Sequence, residues 1–109
     1  MSVQEKISGI LKQLVESRKD VRLVVLTDDK GLVVGAYPYI KEKTELLENI
    51  GAVFAELLHQ VFQTINVMAP KIADKITKIS IGLKSRVIEF YPGTDLNMIL
   101  LKLFASEED

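Results

Sequence analysis

Residues 45–68 run without a proline, and their apolar side chains recur every three or four positions, the period of one amphipathic helix. Thr44 is placed to cap its start and Pro70 to stop it. At 1.5 Å per residue such a helix is ~36 Å long, about twice the usual length. Stepped at 100° per residue, Leu47, Ile50, Phe54, Leu58, Val61, Ile65 and Met68 form one stripe. Leu46, Val53 and Leu57 widen it on one flank, and Gly51, Phe62 and Ala69 on the other. The apolar arc is then roughly 180–200° wide, where ~100° suffices for a helix lying on one sheet. The fold must therefore cover this helix with more than its own sheet.

The remaining segments supply a shorter helix and the strands. Val3, Ile7, Ile10, Leu11, Leu14 and Val15 define the helix. Ser2 and Glu5 mark its start in capping-box spacing, and Arg18 and Lys19 mark its end. Residues 21–27 and 32–37 are β-branched and apolar, joined by Asp28-Asp29-Lys30-Gly31, which predicts a tight hairpin with Gly31 at positive φ. After the long helix, residues 74–83 and 86–91 predict two more strands. Ile79 and Ile81 fall on one face of the first; Ile88 and Phe90 lie opposite Val87, Glu89 and Tyr91 in the second. Pro92-Gly93-Thr94-Asp95 is a turn. The last strand, 96–104, is apolar on both faces, as a strand at the centre of a covered sheet should be. The order α-β-β-α-β-β-β with short connections predicts one five-stranded, mostly antiparallel sheet with a helix on each face, an α+β fold.

Composition narrows the function. The chain has 109 residues, 48% hydrophobic and 27% charged, with a net charge of −1. That describes one globular domain, expected over residues 1–105 with a short acidic tail at 106–109. The absence of cysteine excludes disulfides, thiolate metal sites and cysteine nucleophiles. The near-zero charge argues against a nucleic-acid groove. No segment reads as a signal peptide or as a transmembrane span, so a cytoplasmic location is expected. Gly82-Leu83-Lys84-Ser85 echoes only the end of a phosphate-binding loop: the lysine does not follow the glycine, and Thr77 stands where the first glycine belongs. It reads better as a hairpin turn. Asp28 and Asp29 read as turn formers. The single histidine, His59, falls on the polar arc of the long helix with Glu48, Glu56 and Gln63, too few ligands for a metal. No nucleophile, base and oxyanion donor assemble. No enzymatic activity, cofactor or metal is expected.

The hairpin at 21–36 with its acidic turn and Gly31, the long helix after it and the three closing strands at 76–83, 87–91 and 97–104 resemble the Roadblock/dynein light chain superfamily, particularly its small prokaryotic members. The resemblance implies profilin-like or longin-like layering. It also implies a homodimer, or a heterodimer with a related subunit, whose long helices pack side by side and whose sheets join through an edge strand. Its partner class is the Ras-like small GTPases, whose hydrolysis such platforms modulate without donating a catalytic arginine. Many members carry a further helix after the last strand, which residues up to Asp109 leave no room for. On this reading Val53, Leu57, Ile79 and Ile81 lie at the self-interface, and Glu48, Glu56, His59 and Gln63 form a partner surface. The alternative is a small-molecule-sensing or longin/profilin-like binding module, which a pocket between sheet and helix would favour.

Overall fold

The computed structural model describes residues 2–103; Phe104, expected to end the last strand, and the expected acidic tail lie outside them. The elements are α1 (Val3–Ser17), β1 (Val21–Asp28), β2 (Val33–Tyr37), α2 (Lys41–Met68), a 3-10 turn (Pro70–Ile72), β3 (Ile79–Gly82), β4 (Arg86–Tyr91) and β5 (Leu96–Leu103). The strands form one sheet in the order β2-β1-β5-β4-β3, and every neighbouring pair is antiparallel. The strand apolar on both faces is central, as its composition demands. Beneath α2 lie Leu23, Val25, Ile88, Phe90, Ile99 and Leu101, packed on Leu47 and Phe54. On the opposite face Leu11 of α1 covers Val21, Val24 and Leu100. The α+β layering with a helix on each face is as expected.

Two bulges adjust which side chains reach which helix. Val21 faces Lys102 while Leu23 faces Leu101, so Arg22 is the extra residue. The slip turns Val21 to the α1 side, where it is fully buried, and leaves Arg22 exposed. A second slip at Val34 puts Val33 opposite Thr27 and Gly35 opposite Leu26, so Val33 packs toward α2. In the hairpin turn one Asp28 carboxylate oxygen accepts from the N–H groups of Lys30 and Leu32, both at 2.9 Å, and Gly31 takes φ +86°. The turn consumes Leu32, whose carbonyl accepts from Asp28 N–H, so β2 begins one residue later than its composition suggests.

The structure corrects three local expectations. First, α2 starts at Lys41 rather than Glu45, spanning 28 residues and roughly 42 Å. Thr44 is not the cap. It is buried inside the first turn, and its hydroxyl accepts from Ile40 N–H at 3.2 Å, freeing the good helix formers Lys41, Glu42 and Lys43 to extend the helix. Second, β3 covers only Ile79–Gly82. Ile79 already pairs with Phe90, one residue from the end of β4 at Tyr91, so residues 74–77 have no strand to pair with. Third, the Glu5 carboxylate accepts from the Ser2 hydroxyl rather than from backbone N–H, while that hydroxyl accepts from Glu5 N–H.

Both helices approach the sheet over glycine. A Cβ on Gly51 would stand 2.9 Å from Ile99 Cδ1, and one on Gly35 would stand 2.8 Å from Ile7 Cγ2 and 3.3 Å from Leu11 Cδ1. Phe54 meets Phe90 edge to face at 5.7 Å. Since Ile7 is β-branched and Leu11 is in the core, Gly35→Val is expected to lift α1 and lower stability by about 1–3 kcal/mol. Urea denaturation followed by circular dichroism measures it; an unchanged midpoint contradicts this packing.

Candidate interaction surface

The buried residues of α2 are Thr44, Leu47, Gly51 and Phe54, all in its first half. Past Phe54 no side chain of α2 is fully buried: Ala55, Leu58 and Ile65 are half-buried and the other apolar residues are exposed. Val53 is 64% exposed, Leu57 40%, Val61 38% and Met68 79%. Together with Leu46 they lie on one flank. The opposite flank carries Ala52, against which the Gly31 turn sits, so the open flank points away from that turn. The two other residues expected at a self-interface are on the edge strand β3. Ile79 and Ile81 pair with Phe90 and Ile88 and therefore share the α2 side of the sheet. Ile79 packs against the core there, while Ile81 is exposed. Of the residues expected to form a partner surface, Glu56, His59 and Gln63 are exposed and Glu48 is half-buried.

No group of three His, Cys, Asp or Glu able to hold a metal occurs among the described residues, and no helix is long and apolar enough to cross a membrane. A groove of about 420 Å³ opens between α2, the linker to β3 and the β4–β5 turn, walled by Leu58, Phe62, Ile76 and Pro92 with Asp74 and Lys75 at its margin. The linker creates it by leaving the sheet's hydrogen-bonding pattern, which the strand expected over 74–78 would have hidden.

The strongest electrostatic cluster lies on the other face of the sheet. Glu89 is buried on β4. Tyr91 Oη donates to it at 2.7 Å, Lys102 Nζ stands 3.2 Å away and Lys78 Nζ 3.6 Å away. Lys102 also reaches Asp20 at 3.3 Å, and Asp20 pairs with Arg18. Burial pushes the Glu89 carboxyl up, but the hydrogen bonds from Tyr91 and Lys102 and the charges of Lys102 and Lys78 outweigh it and hold the carboxyl below its ordinary value. Burial, and then the bond to Glu89, push the Tyr91 hydroxyl up to about 12. Perturbed groups often mark reactive sites. This cluster has no nucleophile, and its carboxylates are held by partners; it ties the α1–β1 loop to β4 and β5. Its sequence signal was an acid facing away from Ile88 and Phe90 in a strand flanked by lysine-bearing neighbours, a pattern that does not name the partners.

By sequence, no family model and no curated protein matches the chain. Solved structures do match its fold. A Roadblock/LC7 domain from Streptomyces avermitilis superposes with a TM-score of 0.67 at 13% identity, over 88% of this chain and 77% of that one. MglB of Myxococcus xanthus gives 0.72 at 9% identity, over 98% and 77%. An MglB structure with a tetrameric arrangement gives 0.67 at 13% identity, over 94% and 75%. The chain therefore has the Roadblock/LC7 fold.

Lys102→Met leaves Glu89 short of a charged partner and is expected to cost about 1–3 kcal/mol. Because the folded carboxyl titrates below its ordinary 4.5, the cluster stabilises fully above that pH and less as the pH falls beneath it. Glu89→Gln should flatten this acid limb in urea midpoints measured from pH 6 to pH 3; a limb as steep as the parent's contradicts the assignment.

Proposed function

We propose that this chain is a non-enzymatic, dimeric cytoplasmic scaffold that binds a Ras-like small GTPase and modulates its hydrolysis of GTP. The observation carrying the reading is the exposed apolar flank of α2, with Val53 and Leu57, on the same side of the sheet as Ile79 and Ile81 of the edge strand. A flank of this length resembles a protein interface more than a free surface. The Roadblock/LC7 fold supports the partner class, since the resemblance read from the sequence implies a GTPase platform. The outward arc of α2, with Glu48, Glu56, His59 and Gln63, is the surface assigned to that partner. It acts by binding, arranging groups that the GTPase already owns.

The groove beside Phe62 favours a second reading, a module that senses a small apolar molecule, because its volume is within the range of ligand sites.

Light scattering on the purified chain at micromolar concentration should give twice the chain mass, and Val53→Asp should give a monomer by placing an unpaired charge in the seam. A monomeric parent contradicts the proposal. Immobilised chain is expected to retain a small GTPase from source lysate, identified by mass spectrometry, in amounts that differ between GTP and GDP analogues. A saturable thermal shift with metabolites, and no GTPase retained, transfers the case to the sensor.

A further inference from the structure

The sequence of α1 does not favour a helix on its own. Val3, Ile7, Ile10 and Val15 are β-branched, Ser8 and Ser17 are weak formers, and Gly9 sits in mid-helix. At Gly35 and Gly51 a Cβ would strike a neighbour, but at Gly9 it would meet nothing within 4 Å. No packing contact calls for that glycine, and it forgoes the roughly two- to five-fold gain in helix stability that alanine brings. A helix of 15 residues is marginal in water, so α1 is helical because the sheet holds it. The hold is narrow. Leu11 is the one fully buried residue of α1, with Ile7, Leu14 and Val15 half-buried beside it, whereas α2 buries four residues.

The loop after α1 is firm on its sheet side and light on its helix side. The Asp20 carbonyl accepts from Leu103 N–H at 2.9 Å, and the Asp20 carboxylate meets Lys102 Nζ at 3.3 Å. Across the loop, Arg18 N–H reaches the Val15 carbonyl at 3.4 Å, and the Arg18–Asp20 ion pair is exposed at both partners, a kind that contributes little. Beneath α1, Val21, Val24 and Leu100 are no more than 1% exposed. We propose that α1 is a lid hinged at Arg18 and Lys19, which opens as a unit and uncovers this apolar strip while the sheet and α2 stay folded. The same central strands keep Leu23, Val25, Ile99 and Leu101 in the core beneath α2, so the sheet retains one covered face when the lid is off. Gly9 sets how often it opens. The motion belongs to the face opposite α2 and does not rest on the dimer.

Native-state amide hydrogen exchange in low urea reads the opening. Relative to intrinsic rates, exchange over residues 9–17 is expected to be about ten-fold or more faster than over the central strand, residues 98–102. It should also depend less on urea, because opening one helix exposes little surface. Gly9→Ala should slow exchange over α1 roughly two- to five-fold. A lock supplies the second test, since the chain contains no cysteine. A Cβ on Gly35 stands 4.0 Å from Ile7 Cβ, within the span of a disulfide, and Ile7→Cys removes the Cγ2 that this Cβ would strike. In the Ile7→Cys, Gly35→Cys double variant, shown to be folded by circular dichroism, oxidation should bring exchange over 9–17 down toward that of 98–102, and reduction should restore it. Equal exchange rates and urea dependence over the two segments in the parent overturn the lid. So does α1 exchange that ignores Gly9→Ala, or that stays fast with the disulfide closed.

Discussion

The contact on which the rest depends is the close seat of α2 on the central strands. Gly51 lets the helix backbone come down onto Ile99, and Phe54 locks edge-on against Phe90. That seat fixes the first half of the helix and the α2-side core in one step. A helix of 28 residues is roughly 42 Å long, whereas the eight residues of β5 extend about 27 Å. Past Phe54 no side chain of α2 is fully buried.

On the opposite face the same economy of space recurs on a smaller scale. Gly35 admits Ile7 and Leu11, and the Arg22 bulge swings Val21 into line beneath α1. Where α1 gives way to charge, the sheet is held by Glu89 and Lys102 and by the link from Lys102 to Asp20. These ion pairs and the two apolar layers leave the flank of α2 uncovered, and the proposed dimer accounts for it.

Much of this was legible in the residues. Period-two and period-3.6 patterns located both helices and all five strands, and the apolar composition of β5 on both faces put it at the centre. The over-wide arc of α2 anticipated its exposed flank. What the residues did not disclose came from contacts distant in sequence. Thr44 looks like a cap until its hydroxyl is seen to serve Ile40 N–H from within the helix. Residues 74–83 read as one strand from the alternation at Ile79, Ile81 and Leu83, yet β4 ends too early to pair with residues 74–77. Lys78 and Lys102 flank Glu89 only because β3 and β5 lie on either side of β4. The groove beside Phe62 follows from the same missing pairing.

On the proposed reading a second copy covers the open flank of α2, most of all its second half, where no side chain is fully buried. Amide hydrogen exchange, followed peptide by peptide across a dilution series, tests it at the place in question. Protection over residues 57–68 is expected to fall on dilution while protection over 44–54, held by the sheet, stays constant. Protection over 57–68 that is low and independent of concentration, with the chain at its single-copy mass throughout, would contradict it.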